Sequence, residues 1–453
     1  MPRRVPPPPS WIPNSGGPRT AAKAPPLLLE CFAIAAPGLE PIVAGELRAF
    51  GIDAREEEGG VAFSGTLEVL ARANLWLRTA SRVIVRVATF HARSFAELER
   101  HARSVMWERY LAPGAAVRFR VTSRKSRLYH TGGIAQRLTE AVDHRLGVAT
   151  RRIDAAPAAT ETDDGDDSGA PDAQLFVVRF VRDVCTLSVD SSGELLHRRG
   201  YRQAVAKAPL RETLAAALLL ASGWRSDTPL IDPLCGSGTI PIEAALLARR
   251  IAPGLLRDFA FEKWPKHDAK LMRRLRSEAE ALVLPRALVS IQGSDRDAGA
   301  IDAARANAAR AGVSGDVDFS TRAISAIAIA PTAATQPRVD AGLIVANPPY
   351  GVRVGERAPL RDLYAQFGKV LRARFPGWTV AVLAADERLG GQLRLDLGER
   401  LRTVNGGIPV RLLVGAVPGD VASSVSVAAV RSSTSETEGP STADSNPATG
   451  DVG

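Results

Sequence analysis

Between residues 205 and 418, short apolar segments alternate with longer amphipathic ones, and this rhythm restricts the fold more than any other feature of the chain. The alternation predicts an α/β fold with a doubly wound, mostly parallel sheet. Asn405-Gly406-Gly407 separates two further apolar segments, which predicts a terminal hairpin whose last strand runs antiparallel to its neighbour. The predicted strands are 229–232, 288–293, 341–346, 379–384 and 410–417, and the predicted helices include 211–221, 240–250, 298–311 and 360–374.

The preceding residues, 27 to 190, mix short strand-like segments with helical ones, and we predict an α+β region there. One helix should lie along 132–146, where Ile134, Leu138, Val142 and Leu146 have helical spacing. A second helix is predicted at 41–50, and strands are predicted at 28–33, 83–90, 116–122 and 175–181.

Three segments have the composition of disordered chain. Residues 1–26 are rich in Pro, and residues 420–453 are rich in Ser, Thr, Gly and Ala. Residues 155–172 gather acidic side chains among Ala, Pro and Gly, which favours a solvated loop over a metal site.

The positive charge of the chain is concentrated in one region. Residues 78 to 145 contain 14 Arg and Lys against 5 Asp and Glu, so this region alone carries as much net charge as the whole chain, which is +9. Such a surface is typical of nucleic-acid binding, although an Arg-rich solvated surface would give the same count. The candidate phosphate contacts are Arg118, Arg120, Arg124, Lys125 and Arg127.

Composition also bounds the cellular setting. Three cysteines lie far apart in the sequence, so neither a disulfide framework nor a zinc site is expected, and we predict that the protein holds no metal. No apolar run approaches the ~18 residues that a membrane span requires, and the first residues lack the apolar segment of a secretory signal. A cytoplasmic protein is therefore predicted.

A glycine-containing loop, Asp232-Pro233-Leu234-Cys235-Gly236-Ser237-Gly238-Thr239, follows the first strand of the α/β region and leads into a helix. Its glycines let backbone approach a ligand, and the helix start offers free N–H groups. The loop lacks the Gly-Lys-Ser/Thr ending of a P-loop. Pro241 replaces the third glycine of a dinucleotide fingerprint, so a smaller adenosine ligand is favoured.

The end of the second strand carries Asp295, Arg296 and Asp297. Asp297 is placed to cap the following helix. This leaves Asp295 to accept hydrogen bonds from the hydroxyls of a ribose.

Asn347-Pro348-Pro349-Tyr350 follows the apolar segment 343–346. Two prolines cannot continue a strand and hold the neighbouring carbonyls in place. The amide of Asn347 and the ring of Tyr350 suit a planar substrate with an NH₂ group, although a stiff turn would have the same sequence.

Taken together, the three strand ends resemble those of class I S-adenosylmethionine-dependent methyltransferases, in which Asn-Pro-Pro-Tyr marks transfer to an exocyclic or side-chain amide nitrogen. Further stretches are similar to the THUMP-domain guanine-N2 methyltransferases of the RlmL type, which act on 23S ribosomal RNA. These stretches are 196–202, 208–217 and 264–268.

This resemblance implies a Rossmann-like catalytic domain with a seven-stranded sheet, preceded by an α+β ferredoxin-like and THUMP module. The implied domains are a ferredoxin-like subdomain at 27–75, an RNA-binding THUMP domain at 76–190, a linker at 191–210 and the catalytic domain at 211–419. It also implies S-adenosylmethionine as cofactor and RNA as partner, ribosomal RNA first, with ribosome assembly intermediates as further candidates.

The family's roles fall on matching residues of this chain. Asp232, Gly236 and Gly238 would lie under the methionine part of the cofactor, and Asp295 would bind the ribose. The further cofactor-binding candidates are Cys235, Ser237, Thr239 and Arg296. Asn347 and the carbonyl of Pro348 would accept hydrogen bonds from the target amine, Pro349 would stiffen the turn, and Tyr350 would stack on the base. The chain departs from the family at Ala323, where an acidic residue usually contacts adenine.

Two alternatives stay open at this point. The same chemistry could act on transfer RNA, because THUMP domains occur in both classes of enzyme. A non-catalytic RNA-binding protein with a decayed cofactor site is the alternative of another class, and Ala323 is the residue that favours it.

Overall fold

The computed structural model describes residues 27–153, 172–203, 210–328, 341–350 and 357–419. The predicted disordered tails, 1–26 and 420–453, and all but the last residue of the acidic segment 155–172 lie outside these ranges. The described chain contains two β-sheets, one of eight strands and one of seven.

The first sheet has the strand order β2-β3-β1-β4-β8-β7-β5-β6. Strand β1 pairs antiparallel with both β3 and β4, so a single sheet continues across the subdomain boundary predicted between residues 75 and 76. The strands are β1 (Leu29–Ile34), β2 (Ala54–Glu57), β3 (Gly60–Gly65), β4 (Arg82–His91), β5 (Ala116–Arg124), β6 (Arg151–Arg152), β7 (Gln174–Val181) and β8 (Val184–Asp190). The helices of this half are α1 (Glu40–Ala49), α2 (Leu67–Trp76), α3 (Phe95–Ser104) and α4 (Thr131–Leu146).

Strand alternation explains which side chains of this sheet are buried. Along β5, Val117 and Phe119 enter the core that is shared with α4, and the intervening arginines face the other side of the sheet. Helix α4 buries Ile134, Leu138 and Val142, as its spacing predicts.

The second sheet has the order β11-β10-β9-β12-β13-β15-β14. Its strands β9 to β13 pair in parallel, whereas β15 is antiparallel to β13, which confirms the predicted sheet and its reversed last strand. The strands are β9 (Leu230–Asp232), β10 (Ile291–Asp295), β11 (Asp318–Thr321), β12 (Leu343–Ala346), β13 (Thr379–Ala384), β14 (Gly398–Asn405) and β15 (Ile408–Ala416). The helices are α5 (Glu212–Ala221), α6 (Thr239–Ala248), α7 (Ala269–Ala281), α8 (Ala298–Arg310), α9 (Arg357–Arg374) and α10 (Glu387–Gly391).

Both faces of this sheet are covered, as the continuous apolar strands require. Leu343 and Val345 of β12 pack in the core that contains α5 and α6, and Ile344 and Ala346 pack in the core that contains α9. One prediction was wrong in its boundary: β10 begins at Ile291, and Leu288, where the strand was expected to start, is 84 % exposed.

The two halves of the chain are packed against each other. Arg72 of α2 forms an ion pair with Glu278 of α7 at 2.9 Å, and the backbone N–H of Gly254 donates to the carbonyl of Leu75. The segment from Leu196 to Tyr201, which joins the halves, is buried at both ends.

Candidate active site

The strand order places the site. Strands β10 and β11 extend from one side of β9, whereas β12 and β13 extend from the other, so the order reverses between β9 and β12. In open α/β sheets, ligands bind outside the carboxyl ends of the strands at such a reversal. Asp232 ends β9, and Asn347 follows β12, its parallel neighbour, so both residues lie at this edge of the sheet.

The loop after β9 is held by its own backbone. The N–H of Gly238 donates to the carbonyl of Cys235 at 2.8 Å, and the N–H of Cys235 donates to the carbonyl of Ser294 in β10 at 3.0 Å. Helix α6 then starts at Thr239. The side chains of Cys235, Ser237 and Thr239 are buried, so a ligand would meet this loop through its backbone.

Two glycines of this loop have positive φ for different spatial reasons. Gly238 has a φ of +83°, and an added Cβ would lie 2.9 Å from both Ala304 and the Phe319 ring. Gly236 has a φ of +51°, and an added Cβ would meet no atom of the described residues within 4 Å. Gly238 is therefore required by packing, whereas Gly236 presents bare backbone to open space, where a ligand can approach.

Asp295 is tied directly to this loop. Its Oδ2 accepts a hydrogen bond from the N–H of Gly236 at 3.0 Å, and its Oδ1 accepts one from the N–H of Asp297 at 3.0 Å. A carboxylate accepts about four hydrogen bonds, so both oxygens retain capacity for ribose hydroxyls. Asp297 caps α8 by accepting from Gly299 and Ala300, as predicted. Arg296 is exposed.

The loop begins at a buried carboxyl group. Asp232 is buried, and its Oδ1 accepts a hydrogen bond from the N–H of Leu234 at 3.1 Å. Burial, with a smaller effect from the charge of Asp295, raises the pKa of Asp232 to about 8. A positively charged ligand nearby would stabilise the carboxylate form. Burial also raises the pKa of the Cys235 thiol, so it acts as a neutral packing group.

On the other side of the reversal, Asn347 and Tyr350 bond to each other. The Tyr350 hydroxyl donates to Oδ1 of Asn347 at 2.5 Å and accepts a hydrogen bond from Nδ2 of Asn405 at 3.0 Å. Burial raises the pKa of Tyr350 to about 12, which keeps the phenol protonated and able to donate. Pro348 is buried and Pro349 is exposed, so the two prolines fix the turn between amide and ring.

Two asparagines at the site were missed by sequence reasoning. Asn405 ends β14 and reaches Tyr350 across 55 residues of chain. Asn307 is buried on α8, and its Nδ2 donates to the carbonyl of Ser237 at 3.0 Å, which fixes the loop from below. Asn405 gave no signal beyond that of a turn residue. Asn307 did, because it is a polar residue among the small apolar ones that α8 buries.

A buried hydrogen-bond network continues from Asn307 into the N-terminal half. The Arg310 guanidinium donates to the side-chain oxygen of Asn307 and to the backbone carbonyl of Tyr201. The Tyr201 hydroxyl donates to Glu243 of α6 at 3.1 Å. Arg199 pairs with Glu243 at 3.3 Å and also donates to the carbonyl of Arg78 at 2.7 Å. Hydrogen bonds thus connect Asn307, which holds the loop after β9, to Arg78, which lies four residues before β4.

Two histidines in the family-like stretches lie apart from these contacts. Burial, reinforced by neighbouring arginines, lowers the pKa of His197 to about 3, so its ring is neutral. Nδ1 of His267 lies 3.3 Å from the carbonyl of Trp264, three residues earlier in the chain.

The candidate RNA contacts differ in exposure. Arg124, Lys125 and Arg127 are exposed, and Arg120 is half-buried. Arg118 is only 6 % exposed, which corrects the expectation that it belongs to the phosphate-binding surface. The number of charged residues along a strand does not show which of their side chains are buried.

Within the described ranges, no three His, Cys, Asp or Glu side chains are grouped as metal ligands would be. The helices in this part of the chain are too short or too polar to cross a bilayer. Cys31, Cys185 and Cys235 are free and buried.

The geometry at the reversal fits S-adenosylmethionine. Gly236 leaves space for a ligand at the backbone, Asp232 suits a cationic group, and Asp295 stands at the end of the neighbouring strand where a ribose is bound. Ala323 precedes the short 3₁₀ helix Ile324–Ala326 and has no side-chain acceptor for adenine.

Two family models match the chain. The RlmL ferredoxin-like domain matches residues 30–84, and the RMKL-like methyltransferase domain matches residues 199–412. The second range begins at residue 199, inside the segment 191–210 that was predicted as a linker.

Individual proteins give the same result. A provisionally named RNA methyltransferase of Synechocystis sp. (strain PCC 6803) is 36 % identical over 84 % of this chain and 95 % of its own length. The ribosomal RNA large subunit methyltransferase K/L of Syntrophotalea carbinolica is 38 % identical over 85 % of this chain. The alignment covers 53 % of that relative, so the chain spans about half the length of the K/L proteins it matches.

A solved structure supports the cofactor. SMU.472, a provisionally named methyltransferase crystallised with SAH, the demethylated form of S-adenosylmethionine, is 31 % identical with a TM-score of 0.73. The match covers 87 % of this chain and 98 % of that one. The chain described here thus belongs to the RMKL-like methyltransferase family, with an RlmL-type ferredoxin-like domain before its catalytic domain, and it is an enzyme that uses S-adenosylmethionine as methyl donor.

Proposed function

We propose that this protein methylates the exocyclic N2 amine of a guanosine in large-subunit ribosomal RNA. The observation that carries the proposal is the position of Asn347 and Pro348 at the reversal of strand order, beside the loop that starts at Asp232. Amide and carbonyl acceptors at this point suit the two hydrogens of a planar NH₂ group.

The main contribution of the protein to this reaction would be to orient the guanine amine towards the methyl group. The lone pair of the guanine amine is delocalised into the ring, and hydrogen bonds to Oδ1 of Asn347 and the carbonyl of Pro348 aim it away from the ring plane. The bound cofactor supplies a methyl group that is already activated by its sulfonium. The N2–carbon bond forms as the carbon–sulfur bond breaks, and a proton leaves N2 for solvent. Fixing two reactants in this way can supply much of the rate enhancement.

The hydrogen bond between Tyr350 and Asn347 indicates which donor the target amine would replace. Oδ1 of Asn347 accepts from the Tyr350 hydroxyl in this structure, so the base amine would take over an acceptor that is already positioned. Asn405 still donates to the phenol oxygen after that exchange. The Tyr350 ring would then stack on the base.

An RNA base must leave its stack to reach this pocket, at a cost of a few kcal/mol. Contacts elsewhere must offset that cost. The exposed cations Arg124, Lys125 and Arg127, with Arg120 behind them, would supply phosphate contacts.

The wider assignments follow from the same proposal. Residues 27–75 would act as a ferredoxin-like subdomain, 76–190 as an RNA-binding THUMP domain, 191–210 as a linker and 211–419 as the catalytic domain. The enzyme would work in the cytoplasm on ribosomal RNA or ribosome assembly intermediates, without a metal. The name of the K/L relative supports the ribosomal substrate.

The substrate is tested by nucleoside mass spectrometry of ribosomal and transfer RNA from a deletion strain. We expect N2-methylguanosine to disappear from one position of 23S ribosomal RNA and to return when the gene is restored. Loss from transfer RNA alone would replace the ribosomal assignment with the transfer RNA alternative.

Catalysis itself is tested with the purified chain. Calorimetry should detect S-adenosylmethionine binding, and incubation with undermodified ribosomal RNA should transfer labelled methyl groups. Absence of detectable cofactor binding would instead support the non-catalytic alternative with a decayed cofactor site, for which Ala323 is the supporting residue.

A further inference from the structure

An exposed aromatic pair lies at the tip of the basic half. Tyr129 is 66 % exposed, although it is a large aromatic side chain. The adjacent ring of His130, also exposed, lies with its centroid 4.2 Å from that of Tyr129, at an interplanar angle of 36°. Neither ring fills the core, so their packing against each other leaves an aromatic surface open to solvent.

The loop that carries this pair, residues 124–130, is held in place by neighbouring groups. The Ser123 hydroxyl donates to the carbonyl of Leu128 at 2.6 Å, and the N–H of Arg127 donates to Asp183 at 2.7 Å. The N–H of Asp183 in turn donates to the Ser126 hydroxyl at 2.9 Å. A loop with this many local bonds presents its rings in a defined position, which lowers the entropy lost on binding.

Exposed cations lie on this loop and on the neighbouring turns. Arg124, Lys125, Arg127 and Arg182 are exposed, and the side chain of Arg93 is 61 % exposed. The one acidic residue of these turns, Asp183, is only 17 % exposed and is engaged by Arg93 and the loop backbone. The surface is therefore strongly positive around an aromatic centre.

Backbone conformation points to the same surface. Lys125 has a φ of +53° and Arg182 has a φ of +50°, in the left-handed region that Gly and Asn adopt more easily. Holding long cationic side chains at such positions costs conformational energy, and strain of this kind concentrates at binding sites.

The start of α4 lies directly beside the rings. Its first turn contains no acidic residue, and His130 makes no side-chain capping bond. Among the residues that the structure describes, an added Cβ at Gly132 would meet no atom within 4 Å. Backbone N–H groups at the N-terminus of this 16-residue helix can therefore meet a phosphate next to the rings.

We propose that Tyr129 and His130 form a platform on which one unpaired base of the RNA substrate stacks, while the flanking phosphates bind Lys125, Arg127 and the start of α4. An aromatic face ringed by cations is the arrangement that recognises single-stranded nucleic acid. The inference rests on the proposed function and specifies a single-stranded segment, remote from the target base, as the part of the substrate that this half binds.

The test measures binding of the full chain to a fluorescein-labelled single-stranded oligoribonucleotide of about ten nucleotides, by anisotropy. Tyr129→Ala should weaken binding about tenfold, because base stacking is lost. Tyr129→Phe, which keeps the ring, should stay within about twofold of the wild type. Leu288→Ala is the matched control, since Leu288 is 84 % exposed and lies in the other half.

Salt dependence separates the ring from the charges. Tyr129→Ala should leave the slope of log affinity against log salt unchanged, and Lys125→Ala should reduce it by about one. Equal binding by Tyr129→Ala and wild type would overturn the platform. Equal loss in Tyr129→Phe and Tyr129→Ala would also overturn it, as would equal losses on a blunt duplex of the same sequence.

Methyl transfer distinguishes this inference from the proposed function. If wild type methylates ribosomal RNA but Tyr129→Ala binds the single strand normally, the platform fails and the enzyme assignment stands. If wild type methylates only transfer RNA, the substrate assignment fails, and the anisotropy result still decides whether Tyr129 stacks a base.

Discussion

The phenol of Tyr350 donates a hydrogen bond to the side-chain oxygen of Asn347 at 2.5 Å, three residues earlier in the same turn. Asn405, from the terminal hairpin, donates to the same phenol oxygen. The acceptor proposed for the target amine is thus ordered before any substrate arrives, and its partner is a group that the substrate can replace.

Asn347→Ala should lower the rate of methyl transfer about 10²–10³-fold, because an acceptor aimed at the reacting amine is removed. Cofactor affinity, measured by calorimetry, should be unchanged. Asn405→Ala is the matched control, since it removes an amide that touches Tyr350 but not the target amine, and its kcat should fall far less. Similar kcat values for the two variants would remove the role assigned to Asn347.

Substitutions of Tyr350 separate its ring from its hydroxyl. Tyr350→Phe keeps the stacking surface and leaves Asn347 without a competing donor, so the KM for RNA should not rise. Tyr350→Ala loses the stack and should raise that KM about tenfold or more. Steady-state kinetics with ribosomal RNA measure both. A large rise in KM for Tyr350→Phe would show that the hydroxyl, not the ring, contacts the base.

The raised pKa of Asp232 predicts that the stability of the fold falls with rising pH, whereas the affinity for the cofactor rises. This pKa is about 8 in the folded protein against 3.8 in an unperturbed carboxyl, so the ligand-free fold holds a proton that the unfolded chain releases. The stability from this group is complete below pH 3.8 and is lost as the pH rises towards 8. Affinity for the cationic cofactor should rise over the upper part of that range, by at most about tenfold per pH unit.

Asp232→Asn removes the titrating group and serves as the control. Calorimetry and thermal unfolding at several pH values should show that both trends flatten in this variant. Retention of the full pH dependence by Asp232→Asn would assign it to another group.

Substitution of alanine for Gly236 and for Gly238 should affect different properties of the protein. Both have positive φ, so alanine costs about 1 kcal/mol of backbone strain at either position. Gly238→Ala also forces a Cβ against Ala304 and Phe319, and its melting temperature should fall clearly. Gly236→Ala points into open space and should lose cofactor affinity with a smaller change in melting temperature. Equal cofactor affinities for Gly236→Ala and wild type would place the ligand elsewhere.

The sheet of the catalytic half could be predicted because its strands are buried on both faces and are therefore apolar throughout. The turn at Gly406 and Gly407, with φ of +56° and +81°, has the geometry that the hairpin prediction requires. The start of β10 could not be predicted well, because Leu288 is apolar but lies in solvent.

The sequence also predicted which edge of the sheet holds the site, because residues that follow neighbouring parallel strands lie at the same edge. The contacts of Asn405 and Asn307 were not predictable, because they join groups 55 and 70 residues apart and leave no local pattern. The depth of Arg118 also depends on what covers the strand, which alternation alone does not give.

The buried pair of Arg199 and Glu243 limits how this protein can be divided. Arg199, the first residue of the range that the methyltransferase model matches, also bonds the carbonyl of Arg78, so the ion pair with α6 is itself tied to the first half of the chain. A fragment that started at residue 211 would leave Glu243 without the Arg199 guanidinium and the Tyr201 hydroxyl that bond it here. Exchange of N-terminal halves between relatives would therefore have to keep the Arg199–Glu243 pair and the backbone contact at residue 78, so the segment exchanged cannot be chosen from the catalytic residues alone.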